Sequence, residues 1–428
     1  LGFPQELRWA LSGGEVFILG SRPVTRLPER WLRAPMAERF PEALSPLTWE
    51  LLADGYAHAF ESATLQLGLP PIAAPWLSCE EGLVRINQTL VDLCLARLEP
   101  GWSSLEELRD QLPVWALRNA WLKELPTEWL ASLDRYLLGL GRQQSAIDLA
   151  GPTPRALWQT VEALRGLGRA FFAPHGLVEL GGLALRQQLL RLVRLTAGPE
   201  QAAGLYQDLL LQPEGRIAQL KAELHELRGL CHEPAGQAWL DATDLRLAWQ
   251  RGAPPAAEGL EARLQAFLTE HGHLSNRYDL AEPTWAEEPW RLLSFLRDGP
   301  SDRFAVTMRG SVDGGPAQQG DAAVRRGQAE ERLLALLPSQ LRVFALDLIR
   351  LARLYQELPD LERYQVRRLA APLRRALLEL GAQLKSLGAL QQAEAIFEAD
   401  AASIAGWLRR ERAVSRHLRA RPAGGLGL

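Results

Sequence analysis

The sequence is short of lysine, cysteine and methionine. Only Lys123, Lys221 and Lys385 stand among the 48 basic residues, so the other 45 are arginine. That bias fits a GC-rich genome and a solvated arginine surface with some bidentate ion pairs. The three cysteines, Cys79, Cys94 and Cys231, are odd in number, far apart and never spaced as CxxC. A disulfide framework and a thiolate zinc site are thereby excluded as organising principles, and a reducing cytoplasm is expected. Charge of one sign is missing too, because the formal net charge is −3 over 428 residues. There is no electrostatic footprint for nucleic acid or an anionic membrane surface, so neither is expected as a partner. Long hydrophobic runs are also lacking. The best uncharged stretch, Ser62 to Cys79, carries Pro70, Pro71 and Pro75, which disqualifies it as a membrane span. No signal peptide is visible.

What is present is an ordinary globular composition, 47% hydrophobic and 23% charged. Ser12-Gly13-Gly14 is a turn signal, and Glu15 to Leu19 is a short β-rich run closed by Gly20 and Pro23. A lone strand is unstable, so this one must pair with a sheet that the chain need not contain. From about Pro28 onward the period becomes helical. Ile217, Leu220, Leu224 and Leu227 recur at three- and four-residue steps, as do Leu373, Leu377, Leu380, Leu384 and Leu387 before a stop at Gly388. Residues 309–328, rich in Gly, Gln and Ala, read as a flexible loop or linker, and the tail Arg416 to Leu428 reads as loosely ordered. No repeat of 20–50 residues argues for a solenoid. The expected fold is therefore mainly α: a large irregular multi-helix domain with a short β stub at the N-terminus.

Catalytic signatures are scarce. His271 and His273 are two apart, where zinc pairs on helices prefer three or four, so a hydrogen-bonded or exposed pair is the simpler reading. Cys231 and His232 are neighbours in sequence and rarely face each other as nucleophile and base. His225 sits on a helical face expected at the surface. Gly139-Leu140-Gly141 lacks the third glycine of a phosphate loop, Gly181-Gly182 lacks a following Lys, and no GxSxG elbow exists. Fourteen tryptophans are many for this length. Most are expected as core anchors, and some as the lining of an apolar ligand cavity.

Several segments resemble one superfamily, that of phosphoenolpyruvate synthase, pyruvate phosphate dikinase and rifampicin phosphotransferase. Pro4-Gln5, Trp9, Phe17 to Leu19 and Ser21-Arg22-Pro23 resemble the last strands of its nucleotide-binding domain. Phe40 to Trp49 (FPEALSPLTW) is similar to its "PEVLSPLTW" segment, and Gly82 to Asn87 to its "GR-Tyr-apolar-Asn" segment. Gly272-His273-Leu274-Ser275 and Asp279 to Trp285 resemble "GHR…DLAEPRW". Gly381, Leu384, Gly388, Leu390 and Ile396-Phe397 resemble "GxxLxxxGxL…DIF". The matches run in family order along almost the whole chain.

The resemblance implies residues 1–27 as the end of an ATP-grasp domain and 28–308 as a helical acceptor-side domain that continues over 329–412. Residues 413–428 would lead to a phosphohistidine domain absent from this chain. It implies ATP and Mg²⁺ as cofactors, ATP-grasp and phosphohistidine domains in cis or in trans as partners, and an apolar or pyruvate-like small molecule as acceptor. It points to Glu6 and Arg22 toward nucleotide and to Gly272, His273, Asp279 and Trp285 toward substrate, with no catalytic or metal-ligating residue in this chain. Two departures stand out. Arg8 occupies the family's metal- and phosphate-binding Glu position, and Gly20 occupies that of a Gln. A cation in place of a carboxylate repels Mg²⁺ and removes an oxygen ligand, so the chain alone is expected to turn over no ATP. The phosphohistidine motif is missing; Cys231-His232 precedes Glu233-Pro234 and lies upstream of its family position. Two functions follow as expectations: the acceptor-binding region of an ATP-dependent phosphotransferase, or a non-catalytic relative serving as a small-molecule-binding or scaffold module.

Overall fold

The protein is described here by a computed structural model covering residues 5–23, 28–37, 39–98, 101–147, 153–211, 216–298 and 316–420. Its architecture is mainly α, with two small sheets near the N-terminus. The helical period explains why. On the helix Ser339–Ser386, Leu373, Leu377, Leu380 and Leu384 fall on one face, and each is almost fully buried. Each buried leucine contributes about 1.5–3 kcal/mol of transfer free energy. The last residue of that series departs from it. Leu387 is the C-cap and is exposed, because the helix stops there and Gly388 turns the chain at φ 73°.

Two hydrophobic cores form. The larger joins the helices Pro46–Gln66, Trp121–Ile147, Pro154–Phe172 and His175–Ala197 to the 48-residue helix Ser339–Ser386. The smaller joins Arg216–Cys231, Glu258–His271 and Trp290–Asp298, and reaches the long helix through Tyr364. The second core is not apparent from the sequence, because helical periodicity reports a buried face and not which neighbour buries it.

Pro359 and Pro372 lie inside the long helix. A helical proline has no N–H for the carbonyl four residues earlier, so Pro359 leaves the Tyr355 carbonyl without its helical donor. Gly182 lies against that carbonyl; a Cβ on Gly182 would stand 3.1 Å from the Tyr355 oxygen. Gly181-Gly182, which fails as a phosphate loop, is the small-residue step that lets two helices approach where one has lost a hydrogen bond.

The β-rich run does not stand alone. Strand β1 (Gln5–Ser12) pairs antiparallel with β2 (Glu15–Pro23) around Gly13-Gly14. The sheet partner comes from the residues just before the turn, which correct the expectation of a lone strand. Leu7, Trp9, Leu11, Val16, Phe17, Ile18 and Leu19 are between 47% and 69% exposed on this hairpin. A second sheet in the order β3 (Trp31–Leu32), β5 (Leu83–Asn87), β4 (Leu77–Glu80) interrupts the helical region.

Two loop expectations need correction. Within 309–328, residues 316–328 belong to the helix Pro316–Leu336, and 309–315 lie outside the described residues. Alanine and glutamine there support a helix as well as a linker. In the tail, residues 416–420 complete the helix Ala401–Ala420, and 421–428 lie outside the described residues. Among the described residues, no helix is long and apolar enough to cross a membrane.

The cysteines are unpaired. Burial pushes the Cys94 thiol up to about 12 and that of Cys231 to about 11, while Cys79 is only partly buried. The thiolate is the reactive form. Titration with a disulfide reagent at pH 8 is expected to label Cys79 in the native protein and all three thiols after denaturation. Rapid labelling of a second native thiol would contradict this packing.

Candidate functional site

Among the described residues, a large cavity of about 490 Å³ lies between the segment around Arg39 and the helices Pro46–Gln66, Gln88–Leu98 and His175–Ala197. Phe60, Ile86, Val91, Leu95 and Leu183 form its apolar wall; His175, Glu179, Arg186 and Arg363 lie on its polar side. Beneath it runs a buried charged network. Arg39 donates from Nη2 to Glu179 at 2.8 Å, and from Nη1 to the Tyr56 hydroxyl at 2.8 Å and to Glu362 at 3.3 Å. Glu362 is fully buried and sits 2.9 Å from His175 Nδ1. Tyr56, Phe60 and Phe172 meet the imidazole edge to face, with centroids 5.4 to 5.9 Å away.

The electrostatics follow from that packing. Burial opposes the Arg39 charge, but Tyr56, Glu179 and Glu362 outweigh it and hold the guanidinium pKa above its usual value. Burial raises the Tyr56 hydroxyl well above its ordinary range against the pull of Arg39. With Glu362 accepting from Nδ1–H, the lone pair of His175 sits on Nε2. A carboxylate-oriented imidazole beside a cavity can take a proton from a hydroxyl bound there.

The long helix adds a cluster of buried charges beside the cavity. Asp360, Glu362, Arg363 and Arg367 are buried on the long helix just after Pro359. Arg363 pairs with Asp360. Arg367 donates to the Ser275 carbonyl at 3.2 Å and lies over the Tyr278 ring at 5.2 Å. Burial pulls its guanidinium pKa down to about 10, with Tyr278 opposing and Arg363 adding to the shift. A small cleft lined by Arg39, Arg363, Arg367, Tyr278 and Tyr364 adjoins the large cavity. Arg39, His175, Glu362 and Arg367 belong to no motif of the sequence. The one signal was polar residues on an otherwise apolar helical face, which is hard to read in a chain with 45 arginines.

Asp279 caps the helix Pro46–Gln66: it accepts from the Ser45 amide, from Ser45 Oγ at 2.9 Å and from Thr48 Oγ1 at 3.0 Å. Gly272 lies where a Cβ would stand 2.3 Å from the Leu268 oxygen and 2.9 Å from the Ala286 side chain. Trp285 is fully buried between Phe267 and Phe295 and donates from Nε1 to Asn276 at 2.7 Å. His273 stands edge to face with Tyr364 at 4.9 Å, and its Nε2 is buried without a hydrogen-bond partner. Burial and the charges of Arg368, His271 and Arg367 lower its pKa to about 3. His273 and Asp279 share a narrow cleft with Arg367. Cys231 is buried while His232 is exposed, so the two do not form a dyad. No tryptophan lines the large cavity, although Trp102, Trp115 and Trp121 line a polar one of about 250 Å³.

Asp279→Ala is expected to remove about 2 kcal/mol of stability, the combined effect of a lost cap and lost charge-assisted hydrogen bonds. Chemical denaturation measures it, and a change under about 0.5 kcal/mol would contradict the capping role.

No family model and no curated protein matches the chain.

Glu6 and Arg22 meet on the hairpin, where they form an exposed cross-strand ion pair at 2.6 Å. The two departures also meet, since Arg8 pairs with Gly20 in register. Mg²⁺ requires near-octahedral oxygen coordination. Here Glu6 is engaged by Arg22, Arg8 is cationic, and Glu15 lies at the turn end opposite Ser12. The hairpin residues do not fit a Mg²⁺–nucleotide site by themselves.

Proposed function

We propose that this chain is the acceptor-binding region of an ATP-dependent phosphotransferase of dikinase type, and that the 490 Å³ cavity holds the acceptor. One observation carries the reading. The segments that carry the resemblance, far apart in sequence, meet in space at the residues that define them. Ser45 and Thr48 bond Asp279 across more than 230 residues, and Leu44 N donates to the Gly82 carbonyl at 2.9 Å. The cavity suits a small molecule with an apolar body and a hydroxyl or anionic end. In this reading Arg186 and Arg363 provide positive charge, and His175 takes the hydroxyl proton as the phosphoryl group arrives from a phosphohistidine donor. The exposed apolar hairpin suits burial against a neighbouring sheet.

The second reading, a non-catalytic binding module, is favoured by Arg8 facing Gly20 on the hairpin. The test is the coding frame on both sides of these residues, followed by assay of the complete polypeptide. The first reading expects an ATP-grasp domain upstream and a Gly-Gly…Ser/Thr/Cys-His motif downstream. It also expects AMP release that depends on acceptor. Unrelated flanks, or an intact polypeptide that binds small molecules and forms no AMP, would overturn it. The 428-residue chain by itself is expected to form no AMP from ATP.

A further inference from the structure

Away from the large cavity, Glu223, Glu270 and His271 bring three side-chain donors together, all within 4.8 Å of one another. Glu223 comes from the helix Arg216–Cys231; Glu270 and His271 end the helix Glu258–His271. His271 Nε2 lies 3.1 Å from Glu223 Oε2 and 3.9 Å from Glu270 Oε2. Donors set tetrahedrally about 2.0–2.1 Å from a zinc ion stand about 3.3 Å apart, so the two distances bracket the required spacing.

The surroundings fit a ligand set. His271 is fully buried, and its other nitrogen, Nδ1, lies 2.9 Å from the Tyr364 hydroxyl. With Nδ1–H donating to that oxygen, the lone pair on Nε2 points between the carboxylates, the usual outer-shell arrangement of a metal-bound histidine. Arg216 pairs with Oε1 of Glu270, which leaves Oε2 as the donor on the His271 side. Arg216 and Arg368 both lie over the Tyr364 ring, at 5.5 and 5.6 Å, and hold the phenol that orients the imidazole. Both carboxylates are partly exposed, which gives a cation its entry path.

We infer that Glu223, Glu270 and His271 bind a divalent transition-metal ion of zinc type, with a water completing the coordination. The ion pins the two helices of the smaller core to each other and, through Tyr364, to the long helix. One nitrogen and two oxygen donors suit Zn²⁺ or Co²⁺ over a thiophilic ion.

The experiment uses the full chain freed of metal by chelator and titrated calorimetrically with ZnCl₂, with CoCl₂ as an optical probe. Wild type is expected to bind one Zn²⁺ per chain and to develop the intense visible bands of tetrahedral Co²⁺. His271→Ala and Glu223→Gln are expected to abolish both signals. Tyr364→Phe is expected to weaken Zn²⁺ binding about tenfold, the usual effect of removing an outer-shell partner. Circular dichroism checks folding, and Glu223→Gln, at a half-exposed position, tests the site where His271→Ala unfolds the core. No saturable Zn²⁺ binding by wild type overturns the inference. So does binding that Glu223→Gln leaves unchanged.

Discussion

Arg39→Met is expected to lower the stability of the larger core by about 3–5 kcal/mol, the range for removing one partner of a buried ion pair. Arg39 is 4% exposed and Glu362 is 0% exposed, and the one guanidinium pairs with both Glu362 and Glu179. Removing it leaves the Glu362 carboxylate in a low-dielectric site where, among the described residues, its other close partner is His175. The Tyr56 hydroxyl loses its donor as well. Methionine keeps most of the volume, so the loss reports electrostatics and not a cavity. Urea denaturation of Arg39→Met, of Glu362→Gln and of the double variant separates the terms. The double variant is expected to recover about 1 kcal/mol or more, because coupled neighbours show interaction energies of about 0.5–3 kcal/mol. Additive losses would mean that the two side chains are not energetically coupled.

Trp285→Ala is expected to cost about 3–5 kcal/mol, the usual range for deleting a large buried aromatic. The effect should be confined to the smaller core. Trp285 packs on Phe267 and Phe295, its indole N–H is satisfied by Asn276, and its amide donates to the Leu274 carbonyl at 2.7 Å. Hydrogen exchange is the discriminating measurement. Amides of the helices Arg216–Cys231, Glu258–His271 and Trp290–Asp298 should lose protection, and those of Pro154–Phe172 and His175–Ala197 should keep it. Loss of protection in both cores together would show that the molecule opens as one unit. A stability near wild type would make Trp285 a surface or ligand residue instead of a core one.

The two variants contrast a residue that no motif marked, Arg39, with one that a motif did, Trp285. Trp285, Gly272 and Asp279 attract attention in sequence through a motif, and in space each does packing or capping work. The cavity is built mainly from residues no motif marked. This is physically reasonable: positions that join distant segments demand one shape and one hydrogen-bond pattern, while a ligand wall demands only a mixture of chemistry. His273 is the intermediate case. It belongs to a motif, lies beside Arg367 in a narrow cleft, and has a buried nitrogen without a partner.

By itself the sequence determined the fold class, the unpaired thiols and the helical register of individual segments. Those properties depend on local period and on residue counts, and Leu373, Leu377, Leu380 and Leu384 show them directly. It also located Gly13-Gly14 as a turn, though it took the strand after that turn as alone when its partner lay just before it. Only the tertiary structure decided that helices divide between two cores, that Gly182 packs on the Tyr355 carbonyl, and that Arg39 reaches Glu362 across more than 300 residues. Buried charges are legible only with their partners, because a charge leaves water where a specific counter-charge and hydrogen bonds replace it. The same holds for Glu223, Glu270 and His271. Their spacing in sequence is that of ordinary surface residues, and only the packing of two helices turns them into one site.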